Sequence, residues 1–278
     1  MRKILKNSIA NITVINSCND KLPFVISIPH SGLYITKEMN DKLDENAILS
    51  NSDWYLKELY LFLKELGFTI VINNVNRYII DQNRELVLNN GEIYSSSLVY
   101  TKNTFSNDIY KTNLDEDEIN DRIEKYYKTY HNELQKQINS KLKVFDKVIL
   151  IDLHSFGKNI GADIVLGDDN HNTMDKKTFD IIKNSFISSG FVVNDNIPYK
   201  GGYITKKYGK CNGKCESIQI ELSYRKYIDD REFNEEELPK INETIMNDCR
   251  SRLKEVFISI INSYNIIKPE LNCIHLLY

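Results

Sequence analysis

Short runs of aliphatic and β-branched residues, each followed by polar side chains, are the feature of this sequence that most restricts its fold. The clearest is VILIDLHSFG at 148–157, and FVISI at 24–28 runs into PHSG. FTIVI at 68–72, RYII at 77–80 and SIQIELS at 217–223 are similar. Short apolar runs bounded by polar or turn-forming residues are typical of strands buried on both faces. We therefore predict strands at these positions.

Helical periodicity fills the stretches between these runs. From about 115 to 143, apolar residues recur at three- and four-residue steps, and the acidic DEDE at the start suits a helix N-terminus. WYLKELYLFLKEL predicts a second helix, capped by Ser52 or Asp53 and closed by Gly67. Further helices are predicted near 173–188 and from about 233 to 265, with short strands at DIVLG and FVV and a glycine-bearing loop at PYKGGYITKKYGKCNGKC.

Strands that alternate with helices indicate an α/β fold with a mixed, mostly parallel central sheet flanked by helices. Pro and Gly number only five and 11, and no linker divides the sequence. We therefore expect a single domain over 1–278.

Composition excludes several kinds of partner. The 36 basic and 39 acidic residues are well mixed along the chain, so no basic face predicts nucleic-acid binding. No apolar stretch approaches the ~18 to 20 residues that span a membrane, and the N-terminus lacks a signal-peptide core. Five scattered cysteines favour free thiols in a reducing cytoplasm. Cys211 and Cys215 could bind zinc, but without a second pair a turn is the better interpretation.

Polar residues at strand ends are the candidates for a site, because ligands of open α/β sheets collect beyond the carboxyl ends of the strands. Two of the five histidines, His30 and His154, lie at such ends. The other three histidines are expected to lie outside the site, with His131 on the surface of the long helix, His171 in a polar loop and His275 in the tail.

His30 and His154 together favour a divalent metal, since imidazole and carboxylate are the usual donors for zinc. Two structural histidines held by hydrogen bonds are the alternative. The third ligand is Asp53 or Asp152, and Asp152 could instead orient His154.

Three further charges follow predicted strands or lie within them. Glu221 interrupts an apolar strand. Near a metal it would be a candidate general base, and the alternative is that it pairs with a basic residue. Arg77 and Arg84 bracket YIIDQN, where a guanidinium could bind a substrate carboxylate or pair with Asp81 or Glu85.

Six stretches in this order resemble the N-formylglutamate amidohydrolase family, itself similar to the zinc carboxypeptidases and aspartoacylases. They are SIPHSG, SDWYLKELY, NRYIIDQNRE, VILIDLHSFG, PYKGGYITKKYG and IQIELSYRKYID, between about 23 and 229. The resemblance implies a carboxypeptidase-like (phosphorylase/hydrolase-like) fold. It also implies zinc-dependent hydrolysis of the amide bond of an N-acyl amino acid, with N-formyl-L-glutamate giving formate and L-glutamate.

The resemblance also implies roles for residues. His30 and His154 match the histidine ligands of one zinc ion, and Glu221 matches the catalytic glutamate. Asn83 and Arg84 match the pair that holds a substrate carboxylate. The carboxypeptidases and aspartoacylases have a glutamate ligand three residues after the first histidine, where this chain has Leu33. We therefore expect Asp53 to be the third ligand, in preference to Asp152.

Several residues are candidates for contacts with the small-molecule substrate. Gly202 would let the backbone approach it, and Tyr203 could donate a hydrogen bond. Arg77 would assist Arg84 at the α-carboxylate, and Arg225 would bind a second carboxylate unless it lies on the surface.

Two other functions fit the sequence. One is an amidase or carboxypeptidase acting on another N-acyl amino acid or a short peptide. The other is a metal-free protein that binds a dicarboxylate. A serine hydrolase built on Ser31 or Ser155 is disfavoured because neither serine lies in a G-x-S-x-G turn.

Overall fold

A computed structural model describes residues 10–89, 91–230 and 238–267. Within them, one sheet contains seven strands: β1 Ile12–Ile15, β2 Phe24–Ile28, β3 Thr69–Asn73, β4 Val148–Phe156, β5 Ile164–Gly167, β6 Val193–Asp195 and β7 Cys215–Ser223. Their order in space is β1-β3-β2-β4-β7-β5-β6. Strands β3, β2, β4 and β7 run parallel, as do β5 and β6, whereas β1 is antiparallel to β3 and β5 to β7. The prediction of a mixed, mostly parallel sheet flanked by helices is confirmed.

Seven α-helices are found in the described residues: α1 Lys37–Lys42, α2 Leu56–Leu59, α3 Glu116–Arg122, α4 Lys128–Lys141, α5 Lys176–Ser188, α6 Tyr203–Tyr208 and α7 Glu243–Ile267. A π-helical turn, Ile123–Tyr127, joins α3 to α4, so the long predicted helix is present. Acidic caps begin two helices, because Asp115 and Asp175 accept hydrogen bonds from backbone N–H groups in the first turns of α3 and α5. None of the helices in the described residues is long and apolar enough to cross a bilayer.

The sheet is buried on both faces. All nine residues of β4 are buried, and alternate side chains point to opposite faces. Ile149 and Ile151 pack in the cluster that includes Phe179 of α5 and Phe257 of α7. Leu150 packs on the other face, in a cluster with residues of α4. This two-sided burial explains why the apolar runs are continuous, and it identifies Asp152 and His154 as polar exceptions on the α4 face.

One sequence-based prediction of regular structure was wrong, and a second is confirmed only in part. RYII is a turn, because Asn76 accepts hydrogen bonds from the backbone N–H groups of Tyr78 (through its side chain) and Ile79 (through its carbonyl). WYLKELYLFLKEL forms only α2 and a 3-10 helix, Leu61–Lys64. Tyr55, with φ of 60°, precedes α2 and provides no side-chain cap, so Ser52 and Asp53 do not cap a helix there.

Three further elements also differ from expectation. The segment predicted as a glycine-bearing loop contains α6, and β1 was not predicted. α7 begins at Glu243, later than expected, while residues 233–237 of that prediction lie outside the described residues.

Candidate active site

His30, Asp53 and His154 converge at the carboxyl end of the parallel strands. His30 follows β2, Asp53 precedes α2 and His154 lies in β4. One potential ligand atom from each residue lies within 4.8 Å of the others, and all three residues are buried. Oδ2 of Asp53 lies 3.5 Å from Nδ1 of His30 and 3.1 Å from Nδ1 of His154. Nδ1 of His30 is buried without a hydrogen-bond partner in the described residues. These three side chains could hold a metal ion.

A carboxylate holds the other nitrogen of each histidine. Nε2 of His30 lies 2.7 Å from Oδ1 of Asp81, and Nε2 of His154 lies 2.8 Å from Oδ2 of Asp152. A carboxylate at Nε2 keeps the proton there and leaves the Nδ1 lone pair for a metal. The donor set therefore fits a divalent cation such as zinc. In this geometry Asp152 orients His154, while Asp53 faces both Nδ1 atoms.

The electrostatics of the group also suit a cation. Burial raises the pKa of Asp53, but the neighbouring His154 and His30 side chains outweigh that effect and hold the pKa below its usual range. Burial lowers the pKa of His154, and the charge and hydrogen bond of Asp152 raise it well above the ordinary value. Asp53 is therefore an ionised ligand, and the carboxylates around the histidines attract positive charge.

Glu221 lies beside this group, in β7. It is the cross-strand partner of His154, and its side chain is buried. Burial raises the pKa of Glu221 to about 7, a shift that the His154 charge opposes and the Asp53 charge reinforces. A carboxyl group with this pKa can accept and return a proton near neutral pH.

Arg77 forms an ion pair, the alternative considered for it from the sequence. Its Nη2 and Nε atoms donate to Oδ2 of Asp81 at 2.7 and 3.2 Å, and Nη1 donates to the carbonyl of Asn51. The charge of Arg77 lowers the pKa of the buried Asp81, overcoming the effect of burial. Arg77 thus supports the carboxylate that holds His30.

Arg84 is better placed to bind an anion. Its guanidinium is mostly buried and donates to the carbonyls of Asn83 and Tyr94 at 3.1 and 3.4 Å. Within the described residues it has no ion pair with a carboxylate, and its Nε atom is buried without a partner. A partly exposed guanidinium with no ion pair in the described residues has the chemistry of a carboxylate-binding site.

Asn83 and Gly202 are packed against each other. Oδ1 of Asn83 accepts a hydrogen bond from the Ile204 N–H at 2.8 Å, and its Nδ2 atom lies 3.1 Å from Nε2 of His154. A Cβ atom at residue 202 would lie 2.2 to 2.6 Å from three Asn83 side-chain atoms. The Gly202 N–H donates to Gln219. Glycine is therefore required for contact with Asn83, and its N–H is already used within the protein.

The last two candidates make contacts away from the His-Asp-His group. The ring centroids of Tyr203 and His131 lie 5.8 Å apart. The Nζ atom of Lys207 lies 5.2 Å from the centroid of the Tyr203 ring. Arg225 pairs with Asp230 at 2.7 Å and is half-buried, so the structure agrees with a surface role for it.

Of the remaining histidines, His131 contradicts the prediction of a surface position. It is buried, and its Nε2 and Nδ1 atoms lie 3.0 and 2.8 Å from the Gln82 carbonyl and the Tyr208 hydroxyl. Burial lowers the pKa of His131 to about 3, so the ring is neutral. His171 pairs with Asp168, while His275 lies outside the described residues. Cys211 and Cys215 are free and belong to no potential metal-binding group in the part of the chain that is described.

Sequence reasoning missed the roles of Asp81 and Gln219. The sequence suggests Asp81 only as a possible partner of an arginine, whereas it accepts hydrogen bonds from His30, Arg77 and the Asn83 N–H. Gln219 donates to Oε1 of Glu221 at 2.9 Å. Gln219 lies two residues before Glu221 in a strand, so both side chains point to the same face. This spacing is the sequence feature that could have identified Gln219.

Comparison with known proteins identifies the family and the fold. A sequence model of the family described as N-formylglutamate amidohydrolase matches residues 22–228. N-formylglutamate deformylase from Pseudomonas putida is 27% identical over 226 residues, which cover 76% of this chain and 84% of that protein. The crystal structure of N-formylglutamate amidohydrolase from Ralstonia eutropha JMP134 shares the fold, with a TM-score of 0.75 at 23% identity, over 90% of this chain and 97% of that one. A gene product of Agrobacterium tumefaciens has a TM-score of 0.70 at 20% identity, over 92% and 96% of the two chains. Because the family match spans most of the sequence, the chain belongs to the N-formylglutamate amidohydrolase family.

Proposed function

We propose that this chain is a zinc-dependent amidohydrolase that converts N-formyl-L-glutamate to formate and L-glutamate. The observation that carries the proposal is the convergence of His30, Asp53 and His154, with Glu221 beside them. The relatives named as N-formylglutamate deformylase support the choice of substrate. The proposal treats residues 1–278 as one domain acting on a small molecule in the cytoplasm.

The roles of the residues follow from their chemistry. Zinc held by His30, Asp53 and His154 would supply Lewis acidity, activating water and polarising the acyl carbonyl. Glu221 takes a proton from the attacking water and returns it to the amine nitrogen as the carbon–nitrogen bond breaks. Burial disfavours the charged form of Glu221 and so helps it to hold the proton between the two transfers.

Arg84 is the proposed ligand of the substrate α-carboxylate. It is partly buried and has no ion pair in the described residues, and it follows Asn83, which lies against His154. A bidentate contact there would fix the acyl group relative to the metal, and such positioning supplies a large part of catalysis.

The deciding experiment is a hydrolysis assay on N-formyl-L-glutamate that measures formate and glutamate together. We expect activity to disappear with a chelator and to return with zinc. Unchanged turnover after complete zinc removal would exclude the proposed mechanism. Glu221→Gln should retain zinc and lose turnover by about 10²- to 10⁴-fold, the usual contribution of a general base.

The second candidate function is hydrolysis of another N-acyl amino acid or a short peptide. The ion pair of Arg225 with Asp230 favours testing it. Arg225 is the residue predicted to bind the side-chain carboxylate of the substrate, and it already pairs with Asp230. A panel of N-formyl, N-acetyl and dipeptide substrates, each with glutamate or an apolar residue, would separate the choices. A preference for apolar amino acids would exclude N-formylglutamate as the main substrate.

A further inference from the structure

The side chain of Gln219 connects the backbone of the glycine-rich segment to the carboxyl group of Glu221. Its Oε1 atom accepts a hydrogen bond from the Gly202 N–H at 2.6 Å. Its Nε2 atom donates to Oε1 of Glu221 at 2.9 Å. Gln219 is 5% exposed and Glu221 9%, so little water competes for these bonds.

The direction of both hydrogen bonds is fixed by chemistry. A backbone N–H can only donate, so the amide oxygen of Gln219 must face Gly202. The amide nitrogen, which can only donate, must then face Glu221. One carboxylate oxygen of Glu221 is thereby held in place, and the described residues give its other oxygen no hydrogen bond.

The same segment fixes a second amide near the metal ligands. The Ile204 N–H donates to Asn83, whose Nδ2 atom lies beside His154. Two backbone N–H groups, two residues apart, therefore orient one amide towards the proposed base and one towards a proposed ligand.

We propose that Gln219 is a positioning residue, fixed by the Gly202 N–H, that orients the Glu221 carboxyl group for proton transfer. The inference rests on the proposed function, since it assumes that Glu221 is the general base. In this arrangement the Gly202 N–H donates its hydrogen bond to Gln219 and is not available to the substrate.

Two variants separate the two hydrogen bonds. Gln219→Glu retains an acceptor for the Gly202 N–H but cannot donate to Glu221 when ionised, whereas Gln219→Leu loses both bonds. We expect kcat to fall by about 10- to 100-fold in each, because a misplaced base loses much of its contribution. KM and zinc content should stay within about twofold of wild type, since neither Arg84 nor the metal ligands contact Gln219.

Gln137→Leu is the matched control. Gln137 is also buried and hydrogen-bonded, to Ser17, Glu133 and the Cys18 N–H, but it lies in α4 away from the site. This variant should lose stability while its kcat stays at the wild-type value.

A double-mutant cycle distinguishes positioning from general structural damage. In the Glu221→Gln background, Gln219→Leu should cause no further loss of the residual rate. Additive losses, a kcat within about twofold of wild type, or failure of both Gln219 variants to fold would overturn the inference. Wild-type protein inactive on the whole acyl panel would instead refute the proposed function, because this inference concerns only an active enzyme.

Discussion

At the residue scale, the two histidines receive unequal support from their carboxylates. Asp81 shares its charge with Arg77 and with the Tyr100 hydroxyl. Asp152 accepts a hydrogen bond from the Ser27 hydroxyl at 2.6 Å, and in the described segments His154 is the basic side chain bonded to it. Arg77 therefore competes with His30 for Asp81, whereas in the described residues no arginine or lysine pairs with Asp152.

The third metal ligand can be identified by two substitutions. Asp53→Ala should abolish tight zinc binding, because Asp53 faces the Nδ1 atoms of both histidines. Asp152→Asn should retain zinc with an affinity about 10- to 100-fold weaker, the usual effect of losing a partner that orients a ligand. Zinc affinity is measured by competition with a chromogenic chelator. Retention of tight binding in Asp53→Ala, with loss in Asp152→Asn, would reverse the two roles.

Glu221 also predicts a pH-dependent stability. Its pKa is about 7 in the folded protein, above the ordinary 4.5, so the folded state binds this proton more tightly than the unfolded state. Ionisation of Glu221 therefore lowers stability as the pH rises from about 4.5 to above 7, by roughly 1 to 3 kcal/mol. In zinc-free protein, Glu221→Gln should have a higher Tm than wild type at pH 8 and nearly the same Tm at pH 5. A pH-independent difference in Tm would show that Glu221 is not buried as an ionisable group.

At the element scale, α6 is attached to the site by the residues at its start. Gly202 contacts Asn83 and Gln219, and Ile204 donates to Asn83. Neither contact follows from the helical pattern of α6, because both depend on side chains from distant segments. A glycine-rich stretch predicts backbone freedom, but here the need for glycine comes from a close neighbour.

Gly202→Ala tests this attachment. The added methyl group would overlap Asn83, so we expect Asn83 to move away from His154 and kcat/KM to fall by about tenfold or more. In an Asn83→Ala background the clash is absent, and Gly202→Ala should then have little further effect. Equal losses in both backgrounds would show that Asn83 does not transmit the change.

Gly161→Ala is the control for this substitution. A Cβ at residue 161 would meet nothing within 4 Å, although φ is +75°. It should lower stability slightly through backbone strain and leave kcat/KM unchanged.

At the scale of the whole molecule, the sequence predicted the sheet well because its central strands are buried on both faces. The location of the candidate site followed from strand order, since His30 and His154 end up on neighbouring parallel strands. RYII was misread because Asn76 turns the chain, a local hydrogen-bonding choice that apolar content does not reveal. The sequence left two roles open for Arg77, substrate binding and pairing with the nearby Asp81, and only the folded geometry shows that the ion pair forms.

The candidate ligands come from three separate segments, so metal binding should stabilise the whole fold. The loop after β2, the loop before α2 and the end of β4 each contribute one residue. Zinc at ~100 times its Kd would add about 2.7 kcal/mol of stability, because it binds the folded state alone. For a chain of this size that raises Tm by roughly 5 °C. Calorimetry with and without zinc measures the shift, and Asp53→Ala should lack it. An equal shift in Asp53→Ala would place the stabilising zinc elsewhere in the protein, and no shift in wild type would exclude a zinc site that links the three segments.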